Sequence, residues 1–262
     1  MRIVRFVFVI IVSVPFLAAS FAQQTPSSSA QALTILKQAL TALNPGTPTT
    51  DVTLSGSVHY IAGSDDENGT ATLQALGGAS RVALNLPSGP RTYVAIATGN
   101  PPSGTWSGPD GVVHTIPFHN LLTDPVWFFP LLPITRGLSN SGYVITYVAQ
   151  ETLDGQAVQH VTVSQPGNLQ TSDNEPSLSR LSQFDYFLDS TTFLPVAIKF
   201  NVHPDTNELL DILVEARFSD YRAINGTQVP FHVQRLLNNV LALDFQFETA
   251  TLNTGLGASQ LQ

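Results

Sequence analysis

Leucines recur three and four residues apart at Leu33, Leu36, Leu40 and Leu43, which places one apolar stripe along an amphipathic helix over 28–43. Ser28-Ser29-Ala30-Gln31 in front of it fits the capping box, and Asn44-Pro45-Gly46 ends it, since proline cannot continue the ladder. From Asp51 the period changes to two: Val52, Leu54, Val58 and Tyr60 share one face, and Thr53, Ser55, Ser57 and His59 the other. Similar runs follow at 70–76, 80–86 and 91–98, separated by turn chemistry at 65–69, Gly77-Gly78 and 87–90. Strands resume at 143–151 and 157–164, joined at Asp154-Gly155, a strong hairpin signal.

After a polar loop over 165–176 comes the clearest alternation. Phe184, Tyr186 and Leu188, then Val196, Ile198, Phe200 and Val202, then Leu210, Ile212, Val214, Ala216 and Phe218, and finally Leu241, Leu243, Phe245 and Phe247 form apolar rows. Asp185, Asp189, Lys199, Asn201, Asp211, Glu215, Arg217, Asp244, Gln246 and Glu248 alternate with them, so one face is apolar and one wet, as in an antiparallel wall over a core. Turns at Pro204-Asp205, Asn225-Gly226 and Asn238-Asn239 make this closing stretch a meander. Between 100 and 142 the alternation breaks into Pro and Gly punctuation, a short strand at 112–116, and an apolar block of Leu121, Leu122, Trp127, Phe128, Phe129, Leu131 and Leu132. Asp124-Pro125 reads as a helix start and Pro130 as its limit. The prediction is a mainly β (α+β) protein of about eleven or twelve antiparallel strands, with an N-terminal helix and a short helical insertion at 118–138.

The first 22 residues stand apart: Arg2 and Arg5 precede an apolar run that ends in Ser20-Phe21-Ala22, the small-x-small pattern of a signal peptide. Cleavage before Gln23 is expected, leaving 23–262 as a single domain in the periplasm or medium. The chain contains no cysteine, so a lipid anchor on a new N-terminal cysteine is chemically impossible, and disulfides, thiolate metal sites and thiol nucleophiles are excluded with it. Only 11% of residues are charged and the net charge is −8, so no basic stripe for nucleic acid can form.

A search for chemistry gives little. Gly137-Leu138-Ser139-Asn140-Ser141 lacks the last glycine of a nucleophile elbow. His114 and His119 flank Pro117 and cannot share a helix face, and His59, His160, His203 and His232 read as isolated surface or edge residues. Ser64, Asp66 and Asn68 imitate the start of a calcium loop, but its last ligand position falls on Ala75, and a solvated hairpin tip is the better reading. Asp211, Glu215, Asp244 and Glu248 alternate with buried positions and read as a solvated face rather than a glycosidase pair. No catalytic residue, metal ligand or cofactor site is assigned.

The closing stretch carries a resemblance. Asp185-Tyr186-Phe187-Leu188-Asp189, Thr192-Phe193-Leu194-Pro195-Val196, Phe218-Ser219-Asp220-Tyr221-Arg222, Asn225-Gly226-Thr227-Gln228-Val229-Pro230-Phe231 and Leu252-Asn253 follow one another as in the LolA-like family of periplasmic proteins, which this chain resembles. The resemblance implies an incomplete β-barrel, concave and apolar, that binds a lipid or lipoprotein acyl chain and performs no chemistry. On that reading Trp106, Leu121, Leu122, Trp127, Phe128, Phe129, Leu131, Leu132, Phe200, Phe218 and Phe245 line the ligand space of a monomer. The aromatic block is either a mobile lid over the cavity or a fixed plug of a dry core. The alternative function is an envelope sensor or scaffold docking a protein partner through the insertion or a sheet edge; a secreted hydrolase ranks below both.

Overall fold

A computed structural model describes residues 27–123, 125–167 and 177–261; the proposed signal peptide and most of the 165–176 loop lie outside them. The first helix, α1 (Ala30–Leu43), buries Ala32, Ile35, Leu36, Ala39 and Leu43. Its cap falls one residue later than the sequence suggested: Ser29 accepts from the Ala32 N–H at 3.1 Å. Ser28 instead accepts from the Ile145 N–H at 3.0 Å, which ties the helix entry to a distant strand.

Thirteen strands follow. β1 (Asp51–Ala62), β2 (Asp65–Leu76), β3 (Ala79–Leu86), β4 (Gly89–Ile96), β5 (Ser103–Ser107) and β6 (Val113–Thr115) precede the insertion. β7 (Val144–Leu153), β8 (Gln156–Ser164), β9 (Phe184–Asp189), β10 (Pro195–Val202), β11 (Ile212–Ile224), β12 (Thr227–Leu237) and β13 (Val240–Leu252) come after it. The expectation of about eleven or twelve misses β5, whose Ser-Gly-Thr-Trp-Ser run sits among prolines and glycines and reads as loop without its partner β4.

Every paired strand is antiparallel, and at the tight hairpins Asp154-Gly155, Asn225-Gly226 and Asn238-Asn239 take positive φ at both turn positions, as two-residue hairpins require. The first hairpin departs from prediction. Its turn is Gly63-Ser64, with Gly63 at φ 62°, so 65–69 is strand rather than an acidic hairpin tip. Twelve-residue pairing from Asp51↔Leu76 to Ala62↔Asp65 outweighs the local turn preference of Asp-Asp-Glu-Asn-Gly.

The sheet order is β6-β5-β4-β3-β2-β1-β13-β12-β11-β10-β9-β8-β7, a curved sheet that does not close. Its two edges, β6 and β7, are consecutive in the chain, so residues 116–143 must cross from one edge to the other over the concave side. That connector holds a 3₁₀ turn (Phe118–Leu121) and α2 (Leu131–Ser139). The helix expected after Asp124-Pro125 is absent, since 125–128 form turns, and α2 begins only after Pro130. Proline lacks an N–H, and Pro130 at the cap and Pro133 in the first turn sit where no intrahelical N–H bond is required.

On the concave face Val52, Leu54, Leu73, Ala216, Val233 and Phe245 join α1 and the connector in one core. Gly56 and Gly104 are among the glycines that permit close approach. A Cβ on Gly56, at the β1 bulge, would collide with the Gln246 carbonyl and Phe247 Cα of β13. One on Gly104 would lie 2.8 Å from Ile116 Cδ1 and Leu121 Cδ2, so the bare glycine lets the connector seat on β5. Gly56→Ala is therefore expected to lower stability by about 2 kcal/mol or more, while Gly111→Ala, with nothing within 4 Å but φ 72°, lowers it by about 1 kcal/mol; urea unfolding of the two variants checks the order.

Candidate functional site

The alternation that builds the sheet also builds the site. Odd positions of β4 (Arg91, Tyr93, Ala95), even positions of β3 (Val82, Leu84) and odd positions of β12 (Val229, Phe231, Val233, Arg235) face the concave side. The connector is fastened across them. Ser80 Oγ, wholly buried, donates to the Pro125 carbonyl at 2.9 Å. Asn120 makes a two-point clamp with His203, donating to its carbonyl and accepting from its N–H, both at 2.8 Å. Arg136 donates to the Gly77 carbonyl at 3.3 Å.

So held, the apolar block is buried. Val126, Phe128, Phe129 and Ile134 are fully covered, and Trp127 is 6% exposed. Trp127 packs edge-on to Phe128, ring centroids 5.7 Å apart, and against Phe245 at 6.2 Å. α1 and α2 fill the β7–β8 side of the trough, but the β3–β5 side stays unfilled. There a cavity of about 420 Å³ remains, walled by Val82, Leu84, Tyr93 and Ala95 on one side, Phe200, Val202 and Leu243 on the other, and Leu121, Pro125 and Trp127 of the connector. Its volume lies in the ~300–1,000 Å³ range of small-molecule sites.

Polar groups are few and differ in kind. Arg91 is satisfied: it stacks on Tyr60 at 4.4 Å, donates to Ser88 Oγ at 2.8 Å, and pairs with Asp65 at 3.4 Å. Arg235 lies 5.3 Å from the centre of the Trp127 ring, and its Nε is buried without a hydrogen-bond partner. Burial lowers its pKa, opposed by Tyr93, and burial raises that of the Tyr93 phenol, opposed by Arg235.

Of the residues assigned to the ligand space from sequence, Trp106, Leu121, Trp127 and Phe200 line this cavity. Phe128, Phe129, Leu131, Leu132, Phe218 and Phe245 pack in the core and do not reach it, and half-buried Leu122 is not on its wall. Sequence reasoning missed Tyr60, Tyr93 and Arg235. The signal for Arg235 was present: it is in phase with Val229, Phe231 and Val233, a cation on an apolar face.

The histidines are not the isolated surface residues expected. His203 is buried, 3% exposed, and meets His119 edge-on with ring centroids 5.8 Å apart. On the convex face His160 bridges Glu151 at 2.7 Å and Asp185 at 2.9 Å while stacking on Phe187. Ser219, His232 and Asp244 line up with successive contacts of 2.8 Å, but the hydroxyl meets Nδ1 and the carboxylate Nε2, the reverse of a hydrolase triad, on three paired strands away from the cavity. Glu215, expected on the wet face, is 1% exposed, because Arg217 at 2.7 Å and Lys199 at 3.6 Å fold over it. Among the described residues no cluster of three or more His, Asp or Glu is arranged to hold a metal ion, and no helix is long and apolar enough to cross a membrane.

Burial works against the charged form of His160, but its bonds to Asp185 and Glu151 outweigh it and raise the pKa above 6.5. Burial likewise opposes the Asp185 carboxylate, yet His160, Gln183 and Thr162 hold its pKa below 3.8. A raised histidine contributes stability that is full below its unfolded pKa and is lost as pH rises through the folded one; a depressed carboxylate contributes above its unfolded pKa and loses it as pH falls. The wild-type Tm is therefore expected to rise between about pH 8 and pH 6, and His160→Asn to flatten that rise, measured by thermal scans of both proteins.

No family model matches the sequence, and no curated protein matches it. Solved structures do. A DUF1329 family protein from Desulfovibrio piger superposes with a TM-score of 0.55 at 10% identity, covering 90% of this chain and 100% of that one. A domain assigned to an outer membrane lipoprotein-sorting protein of Vibrio parahaemolyticus gives 0.53 at 12% identity, covering 88% and 96%. A LolA superfamily protein from Nitrosomonas europaea gives 0.52 at 11%, covering 88% and 97%. The unclosed antiparallel sheet, the helix before β1 and the connector over the concave face together have the LolA-like fold.

Proposed function

We propose that this protein is an exported, non-enzymatic binding protein that takes a hydrophobic ligand, a lipid or a lipoprotein acyl chain, into the concave cavity beside Trp127. The observation that carries this reading is the cavity itself: about 420 Å³ of mostly apolar space left open in a trough that α1 and the connector otherwise fill. Burying an acyl chain there gains roughly 25 cal/mol per Å² of apolar surface removed from water. The three-point fastening of the connector supports a fixed floor under the ligand rather than a lid over it. The neighbour assigned to lipoprotein sorting supports the ligand class.

A second reading, docking of an envelope protein, is favoured by the β6 edge. Val113 is 68% exposed, Val112 50% and Phe118 48%, beside a shallow apolar depression of about 600 Å³ behind β4 and β5.

Native mass spectrometry of the protein carrying a lipid extract, before and after organic extraction, tests the first reading: an adduct of lipid mass is expected, and a clean apo mass with no uptake overturns it. Two variants separate lining from packing. Trp106→Ala, at a 41% exposed wall position, should weaken uptake while moving Tm by no more than a few degrees. Phe128→Ala, fully buried and off the wall, should lower stability by about 3–5 kcal/mol and leave the affinity of the folded fraction unchanged.

A further inference from the structure

The charge on the cavity wall is one-sided. Among the described residues that line it, Arg91 and Arg235 are charged and no Asp or Glu is present, in a chain of net charge −8. Arg91 is already neutralised by Asp65 and Glu67. Arg235 is not: its Nε is buried and unpartnered, it makes no ion pair with a described residue, and its guanidinium lies over the Trp127 ring. It stands on β12 between Ala216 of β11 and Leu243 of β13.

A guanidinium stays protonated even when burial disfavours its charge, so a site of this kind is incomplete without an anion. Its planar fork of N–H donors matches a carboxylate or phosphate group, and the bond strengthens where water is excluded. Tyr93, whose burial keeps it in the neutral phenol form, adds a wall hydroxyl. Val82, Leu84, Phe200 and Leu243 supply an apolar wall for a hydrocarbon tail.

We propose that the cavity binds a single-chain anionic amphiphile, its acid group, carboxylate or phosphate monoester, paired with Arg235 and its hydrocarbon chain laid along the apolar wall. This deepens the proposed function and rests on it. Trp127 also has a structural use for Arg235, as a ring braced by a cation, and the test is built to separate the two roles.

The chain has two tryptophans, Trp106 and Trp127, and both line the cavity, so intrinsic fluorescence reports on it directly. Full-length protein is titrated with dodecanoate, dodecyl phosphate and dodecanol, with acetate and inorganic phosphate as headgroups without a chain. The expected result is that at least one of the two acids binds at least tenfold tighter than the alcohol, a difference of about 1.4 kcal/mol; whichever acid does so identifies the headgroup, and the chainless anions do not bind. Arg235→Met should bring the acid-to-alcohol affinity ratio close to one, and Arg235→Lys should retain part of the preference. If the wild type binds dodecanol as tightly as both acids, or Arg235→Met keeps the acid preference, the inference is overturned and the cavity reading stands. If neither acids nor alcohol bind, both fall. The wild-type ratio needs no variant, so a failure of Arg235→Met to fold leaves the proposal testable.

Discussion

The edges of the sheet, β6 and β7, are neighbours in sequence but lie at opposite ends of a thirteen-strand order, and much of the molecule follows from that constraint. Only a connector long enough to cross the trough can join them, and one that crosses a concave apolar surface must itself be apolar on the side it presents. Residues 116–143 meet the requirement with Trp127, Phe128, Phe129, Leu131 and Leu132, and with prolines that keep the crossing compact. The connector thus supplies part of the hydrophobic core that an open sheet cannot build alone, together with α1 on its other flank.

What the connector leaves uncovered is as informative as what it buries. Its fastening points, Ser80 to Pro125 on one wall and Asn120 to His203 on the other, set where the floor lies, and the bare Gly104 lets Ile116 and Leu121 settle on β5. The remaining space is bounded by large apolar side chains and by Arg235, a cation that no described residue neutralises. A fold selected for tight packing alone would place an aliphatic residue at 235, in phase with Val229, Phe231 and Val233. On the convex face Glu215 lies under Arg217 and Lys199, and His160 lies between Glu151 and Asp185, so these two groups are paired.

The sequence by itself determined the local structure. The 3.6-residue period of α1, the two-residue alternation of the closing meander and the paired positive-φ turns at 154–155, 225–226 and 238–239 depend on neighbours a few positions away, and all are present. Where prediction erred, a distant partner decided. Ser28 caps nothing because Ile145 takes its hydroxyl, 65–69 is strand because β1 extends to meet it, and β5 exists because β4 holds it.

The site was the least legible part, and the reason is geometric. Alternation states which face a residue takes but not which part of that face the connector covers, so Phe128, Phe218 and Trp127 look alike in sequence and only Trp127 reaches the cavity. The charge at Arg235 and its inward phase could be read from the chain, whereas its lack of a partner could not. Whether a buried cation is neutralised depends on side chains brought together across β4, β12 and the connector, and only the tertiary structure sets those distances.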